Sequence, residues 1–455
     1  RDFTLAILLL PTVYGVYYVV ESFIAIVSYF SDIGFAGALI QKKEPITEVE
    51  LQTSFTVQLI LTLGIVIIVL FFSNSIADFL KFPKQGTMLL QAFVIAFFLS
   101  SLKTIPSVLL ERNLEFGKFV IPQVVETIFY TVTVLYLAFK GYGIASFTYA
   151  VLVRGIAGLV TMYLIKPWKI GFAFSRPALK QLLSYGVPFQ ANSILALIKD
   201  NLLIIFLSRV LPLAEVGYIS FAQKWAFTPL RIVMDNIIRV TFSSFSRLQH
   251  DKQALGKAFE KSLTAGTALI FPALIGLVIL MPYMTTLIPK YGKWEPAYIS
   301  LLFFALNAFL AAVLVPLTNL LNAVGKIKIT LYFMIIWTAA TWLFTPLFLS
   351  QFGFSGFPLV TALVNVSVFV VVYIAKKYIP FAVIPAIKSP VLASIGMGGA
   401  LYLLSRILPY QLSTVIILIV SGMVIYGGLL LLIDREQILA DFRYIKLTLL
   451  KKNSA

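Results

Sequence analysis

Residues 224–239 read KWAFTPLRIVMDNIIR, a helical pattern that sets four charged side chains into an apolar background. They are Lys224, Arg231, Asp235 and Arg239, and at 100° per residue they fall within about an 80° arc. One charge at the centre of a bilayer costs roughly 2.5–3.5 kcal/mol, so a helix that exposed this stripe to lipid would not stay inserted. The stripe must therefore face protein or water.

A second charged segment lies upstream, in a predicted apolar span at about residues 182–208. It carries Lys199-Asp200-Asn201 deep inside the span. Charges buried at bilayer depth on two neighbouring helices indicate a wet, mainly positive surface. We expect this surface to line a cavity through which an anionic group passes, which is typical of a transporter.

The composition supports a membrane protein. Of 455 residues, 60% are hydrophobic and 12% are charged, against about a quarter charged in soluble domains, and the mean hydropathy is +0.95. Apolar runs recur at the roughly 20-residue length that crosses hydrocarbon. These features exclude a soluble single domain and predict an all-α, polytopic membrane protein.

The formal net charge of +17 would suggest nucleic acid in a soluble protein. Here positive-inside loops and a cationic cavity explain it, so we expect no nucleic-acid partner. The absence of cysteine excludes disulfides, zinc thiolate sites and Cys nucleophiles. The single His250 falls in a predicted polar loop, where we expect it to be solvated. We predict no metal site and no catalytic residues.

The apolar runs predict about fourteen transmembrane helices, of which the first is truncated, because only seven apolar residues precede Pro11. Lys and Arg concentrate in alternate loops, which predicts that those loops are cytoplasmic. We expect the protein in the cytoplasmic (inner) membrane. After the first helix, the spans are expected at about 13–40, 47–72, 87–110, 117–139, 143–165, 182–208, 214–240, 260–286, 296–322, 328–349, 354–375, 385–407 and 411–433.

An internal repeat organises these helices. Leu10–Tyr17 resembles Leu211–Tyr218, and in both copies Pro and Gly mark a turn between long spans. Six helices separate the copies, so both halves have the same orientation and a parallel pseudo-twofold relates them. We predict two six-helix lobes, residues 1–172 and 173–380, with two extra helices and a cytoplasmic tail in residues 381–455.

The repeat also aligns charges. At an offset of about 203, Glu21 corresponds to Lys224 and Asp32 to Asp235. If these helices meet across a cleft, Glu21 and Lys224 form a pair between the halves. That pair is either a latch for one state or a static buried pair, and both interpretations stay open.

Several motifs, in this order and spacing, resemble the Wzx-type polysaccharide flippases of the multidrug/oligosaccharidyl-lipid/polysaccharide (MOP) exporter superfamily, also described as polysaccharide biosynthesis proteins. The resemblance covers nearly the whole chain. The motifs are Pro11–Tyr17, Ser31–Lys42, Leu110–Phe116, Lys199–Ile204, Phe245–Gln249, Gly292–Pro296 and Leu321–Lys326.

This resemblance implies a two-lobed, V-shaped fold that works by alternating access. We expect the protein not to be an enzyme and to need no cofactor. It implies that an undecaprenyl-diphosphate-linked oligosaccharide is moved from the cytoplasmic to the outer leaflet for exopolysaccharide or lipopolysaccharide biosynthesis. Membrane lipids and other membrane proteins of polysaccharide assembly are the expected partners. Because cavity chemistry in this family varies with the sugar, Lys199 and Lys224 are candidates on physical grounds only.

A diphosphate diester carries about two negative charges, which hydrocarbon cannot accept without compensation. We therefore predict a substrate-binding set of bases, because Arg binds phosphate oxygens through two donors and Lys acts as a point charge. The alternative for each base is a structural ion pair; Arg231 and Arg239, for example, each stand four residues from an acid. The candidate bases are Lys199, Lys224, Arg231, Arg154 and Arg239.

The buried acids are candidates for gating or for coupling to H+ or Na+. Their alternative role is to neutralise the bases. An inside-negative potential also favours outward movement of an anion, so a drive by the potential alone stays open as an alternative. The acids concerned are Glu21, Asp32, Glu126, Asp200 and Asp235.

Two other functions remain as alternatives. A multidrug/cation antiporter would share the fold, but its cavity should favour acids and apolar surface. A membrane-embedded glycan polymerase would need a sizeable outer loop, and the predicted outer loops hold about 14 residues or fewer.

Overall fold

A computed structural model of the protein describes residues 1–31, 34–42, 44–184, 197–409 and 411–435. Every regular element in these ranges is helical. The prediction of an all-α protein is therefore confirmed. The chain divides into two compact units, Arg1–Ser220 and Phe221–Ala455. The predicted lobes were defined by the sequence repeat, whereas these units are defined by compactness. The predicted lobe boundaries therefore stay a prediction.

Among the described residues, the first unit contains ten helices with both ends described, a further helical stretch at residues 176–184, and the start of one more helix. The ten helices are α1 (Asp2–Leu8), α2 (Pro11–Ser31), α3 (Phe35–Gln41), α4 (Glu48–Phe71), α5 (Ser73–Phe79), α6 (Lys84–Leu102), α7 (Thr104–Arg112), α8 (Phe116–Phe139), α9 (Ile144–Ile165) and α10 (Leu203–Val210), followed by the first turns of α11 (Leu213–Leu248). Its main packing joins α9 to both α8 and α6.

The second unit continues α11 and packs around α12 and α13. Its helices are α12 (Lys252–Leu287), α13 (Tyr298–Ala323), α14 (Ile327–Phe352), α15 (Gly356–Asn365), α16 (Val368–Lys376), α17 (Val383–Ile407) and α18 (Leu412–Ile433). Between α12 and α13 a 3-10 turn, Gly292–Ala297, buries Trp294, which stacks on Phe221 with 4.1 Å between ring centroids.

Ten stretches of the described residues are long and apolar enough to cross a membrane. This finding confirms a multi-pass membrane protein. Helix α11 is not among the ten, in keeping with its many charges, and most of the span predicted at 182–208 lies outside the described residues. One stretch, Ile327–Lys376, contains two of the predicted spans, divided by Gly353 with φ +58°. The count of fourteen stays a prediction.

The two copies of the repeat touch each other inside the first unit. A Cβ atom on Gly15 would lie 1.9 Å from the carbonyl oxygen of Leu213, and one on Gly217 would lie 2.0 Å from that of Pro11. Each glycine thus contacts the backbone of the other copy, at the residue four positions before that copy's own glycine. Small residues allow helices in lipid to approach this closely. The reciprocal contact is what a twofold relation between the copies produces.

A second pair of matching turns also supports the repeat. The backbone N–H of Glu115 donates to the carbonyl of Leu110 at 2.9 Å, and that of Lys326 donates to Leu321 at 2.8 Å. The residue before each donor has a positive φ, 58° at Leu114 and 77° at Gly325. Both are left-handed endings of a helix, and they fall in two of the family motifs.

Arg112 explains why two of the family motifs occur together. Its guanidinium donates to the carbonyl oxygens of Leu39 at 2.7 Å, Lys42 at 2.6 Å and Glu44 at 2.6 Å. These carbonyls lie at and after the end of α3, where a helix has no backbone donors left. The motif Leu110–Phe116 therefore holds the end of the motif Ser31–Lys42 in place.

Candidate functional site

Three charged side chains meet between helices of the first unit. Glu126 on α8 is only 7% exposed, and its Oε2 accepts a hydrogen bond from Nε of Arg154 on α9 at 3.3 Å. Its Oε1 forms an ion pair with Nζ of Lys103, the residue between α6 and α7. A buried carboxylate needs such partners because burial alone strongly disfavours its charged form. We call Lys103, Glu126 and Arg154 the charged triad.

Gly158 gives the triad its space. It follows Arg154 by one helical turn, and a Cβ atom there would lie 2.0 Å from Oε1 of Glu126. Any side chain at this position would displace the carboxylate. The helix packing that lets α8 and α9 approach therefore also positions the acid.

Arg154 sits at the middle of its span, as the eleventh of 22 residues in α9, yet its side chain is 55% exposed. The exposed apolar residues Tyr149, Ile156 and Val160 lie roughly 120–160° around the helix from it. Arg154 is thus on the face opposite the one that suits lipid. A cation exposed at this depth must contact water, so the free part of its guanidinium faces an aqueous space.

The charged stripe of α11 has the predicted one-sided arrangement. Arg231, Asp235 and Arg239 are exposed and Lys224 is half-buried, whereas Leu230 and Met234 are buried. No ion pair within 4.0 Å joins Asp235 to either arginine in the described structure. The alternative of a structural tie along the helix is therefore not realised, and both guanidinium groups remain open.

Lys199 and Asp200 lie in a π-helical turn, Ile198–Leu202, that precedes α10 and packs against α2. Nζ of Lys199 is 3.6 Å from Oδ1 of Asp200, and both side chains are partly or largely exposed. Single π turns occur mostly within longer helices and often at functional sites, because they re-aim side chains. Glu21 is an exposed residue of α2 itself.

The structure thus joins some of the predicted residues and leaves others untested. Arg154 and Glu126, assigned separately to substrate and coupling, are partners. Asp32 lies outside the described residues. The sequence analysis did not identify Lys103 as a site residue. It lies at the end of a predicted span, where a lysine is expected to be one of the cytoplasmic loop bases. The sequence contains only a weak indication that Glu126 pairs with Arg154. This indication is Gly158, one helical turn after Arg154, which leaves space for the carboxylate.

Comparison with known proteins agrees with the fold and the motifs. A family model described as polysaccharide biosynthesis protein matches residues 4–298. The lipopolysaccharide biosynthesis protein WzxC of Escherichia coli is 27% identical over 412 residues, covering 89% of this chain and 80% of that protein. The succinoglycan biosynthesis transport protein ExoT of Rhizobium meliloti is 24% identical, covering 74% and 68%.

Two solved structures share the fold at 15% identity. The lipid II flippase MurJ in an inward closed conformation aligns with a TM-score of 0.78 over 96% of both chains. An inward-facing multidrug resistance transporter of the MATE family in the MOP superfamily aligns with 0.65 over 83% of this chain and 93% of its own. The proteins in this set with a named activity are transporters and flippases.

The predicted family is thus confirmed, and so is the likeness in fold. The chain has the fold of MurJ and of the MATE transporter, and it belongs to the polysaccharide biosynthesis protein family.

Proposed function

We propose that this protein flips an undecaprenyl-diphosphate-linked oligosaccharide from the cytoplasmic to the outer leaflet of the inner membrane by alternating access. Its family and its likeness to flippases support a lipid-linked glycan as the class of substrate. The observation that carries the diphosphate assignment is Arg154, a cation exposed at mid-span on the face away from lipid.

Arg154 is suited to hold a phosphate because only one side of its guanidinium is used. Nε is bonded to Glu126, and its two terminal nitrogens make no hydrogen bond within the described structure. These two donors match two oxygens of one phosphate group. Glu126 acts as a positioning residue: it fixes the plane of the guanidinium, and the ion pair with Lys103 holds the carboxylate in place.

The stripe on α11, in the second unit, offers further candidate bases for the diphosphate. Arg231 and Arg239 are exposed and unpaired in the described residues, two turns apart, so they provide successive sites for the same diphosphate. Successive sites of moderate strength suit a carrier better than one strong site, since the anion must also leave. Lys199 adds a further base on the π turn.

Alternating access in this proposal uses the contact between the repeat copies. The crossing at Gly15 and Gly217 brings two helix starts into backbone contact and leaves no room for a substrate at that point. In this proposal the crossing separates and re-forms during the transport cycle. Coupling to H+ or Na+ through the acids, or to the potential alone, belongs to the same proposal.

The test replaces Arg154 in cells that depend on this protein for glycan export. Arg154→Ala should lower export about 10- to 100-fold, because a hydrogen bond to a charged group contributes about 1.5–3 kcal/mol. Arg154→Lys keeps the charge without the two-donor geometry and should fall in between. Export is measured as surface glycan per unit of protein in the membrane fraction.

Arg176→Ala is the matched control, because Arg176 is an exposed arginine outside the spans. Full export by a correctly inserted Arg154→Ala protein would remove the basis of the diphosphate assignment. Restored drug resistance in efflux-deficient cells, with no glycan phenotype, would favour the antiporter alternative instead.

A further inference from the structure

An apolar groove of about 510 Å³ lies in the second unit, separate from the charged residues discussed above. Its walls come from α12, α13, α16 and α17, with Phe271, Phe309, Val372 and Val391 among the lining. Lys376 is the one charged residue among the described residues that line it. We call this the apolar groove.

The apolar groove opens toward lipid. Three of its lining residues, Phe369, Ile384 and Ile395, are 60% or more exposed although they are large and apolar. They lie on helices that are long and apolar enough to span a membrane. An exposed apolar surface at this depth is covered by hydrocarbon, so the natural occupant of the groove is a chain of a lipid.

The length of the groove fits one leaflet. Its lining on α17 runs from Val383 to Ile395, about 18 Å of helix at 1.5 Å per residue. Half of a typical hydrocarbon core is about 15 Å. The groove therefore accepts one acyl chain from the interface to the bilayer centre, whereas an undecaprenyl chain is much longer than the groove.

The interfacial end of the groove is basic. Lys376 ends α16 and makes no ion pair within the described part of the chain, and Lys377 follows it. The backbone N–H of Ala382, at the same end, donates to Glu260 at 2.6 Å, which fixes the segment that forms the mouth. The distribution of Lys and Arg places this end on the cytoplasmic side, where anionic lipids attract basic residues.

We propose that the apolar groove is a binding site for an anionic phospholipid of the cytoplasmic leaflet, with one acyl chain between α16 and α17 and its phosphate at Lys376. This site is independent of the transport proposal. The lipid fills a volume that would otherwise lack contacts between these helices.

The test measures phospholipid binding to the purified protein by native mass spectrometry, with phosphatidylglycerol and phosphatidylcholine as probes. One bound phosphatidylglycerol should be held about fivefold more tightly than phosphatidylcholine, as expected from one basic residue at a membrane surface. Lys376→Ala should remove that preference and leave phosphatidylcholine binding unchanged. Val391→Trp, which fills the groove, should weaken both lipids at least fivefold.

The controls stay on the same helix, α17, outside the lining. Lys388→Ala removes an exposed lysine and Leu392→Trp adds bulk at an exposed leucine, and both should bind like the wild type. Unchanged binding in both Lys376→Ala and Val391→Trp would overturn the proposal, and so would equal losses in the controls. Displacement of phosphatidylglycerol from the groove by undecaprenyl phosphate at equal concentration would also overturn it, because the occupant would then be the substrate tail.

Discussion

At the scale of the residue, the charged triad shows how a membrane protein keeps a cation available at mid-bilayer. Glu126 is shared between two bases and neutralises only part of their charge. Lys103 is largely covered, whereas Arg154 keeps more than half of its side chain exposed. The triad thus leaves one net positive charge directed at water, which is the arrangement that an anion-binding site needs.

The first prediction concerns the acid of the triad. Glu126→Gln should destabilise the protein by about 3–5 kcal/mol, because removing one partner leaves buried charge without compensation. Adding Lys103→Met should restore much of that stability, since the uncompensated lysine is then gone. The measurement is thermal unfolding in detergent, followed by intrinsic fluorescence.

A surface pair provides the control for that experiment. Glu115 pairs with Lys118 three residues away on an exposed helix end, so Glu115→Gln should change the unfolding temperature little. If Glu126→Gln unfolds at the wild-type temperature, the carboxylate is not the centre of the triad. If the double variant is no more stable than Glu126→Gln, Lys103 is not its main partner.

At the scale of the element, the close crossing of α2 and α11 requires two glycines. Each lies within van der Waals distance of the other helix's backbone, so neither position accepts a methyl group without separation of the helices.

The second prediction tests this crossing. Gly15→Ala should lower glycan export several-fold and lower the unfolding temperature, because its Cβ atom would overlap the carbonyl of Leu213. Gly64→Ala is the matched control: it lies in α4 with open space around the added methyl, where Ala favours a helix over Gly. Identical behaviour of the two variants in export and unfolding would show that the close contact has no role.

At the scale of the whole molecule, the proposed substrate makes transport electrogenic. The diphosphate carries about two negative charges, and each charge that moves outward gains roughly 2.3 kcal/mol per 100 mV when the inside is negative. A carrier with no coupled ion would therefore distribute its substrate between leaflets according to the potential alone.

The third prediction follows from that charge. In proteoliposomes with a fluorescent undecaprenyl-diphosphate glycan, a potassium diffusion potential should shift the equilibrium toward the leaflet on the positive side. The shift is read from the fraction of label that a membrane-impermeant reductant destroys, and it does not depend on protein orientation because it is an equilibrium.

Ion gradients applied at zero membrane potential distinguish ion-coupled transport from transport driven by the potential alone. A pH or sodium gradient that moves the distribution would show coupling to that ion, whereas no response would leave the potential as the drive. A distribution that ignores the potential altogether would exclude net movement of the diphosphate charge by this protein.

The sequence alone determined the features that arise from local physics. Composition and the length of the apolar runs established a multi-pass helical membrane protein, because the bilayer fixes how long and how apolar a span must be. The period of the helix placed Arg231, Asp235 and Arg239 on one face, and the structure exposes all three. The motifs gave the family, and the pattern Leu10–Tyr17 gave the repeat.

Only the tertiary structure decided which charges meet and how closely helices approach. Lys103 follows α6, whereas Glu126 and Arg154 lie on α8 and α9, and their contact depends on the rotation and depth of each helix, which no local period specifies. The backbone contact at Gly15 and Gly217 and the groove at Lys376 have the same origin. The hydrocarbon core determines the length and the apolar character of each helix. The fit between helices in lipid depends on van der Waals packing of particular side chains, which is determined only in the assembled tertiary structure.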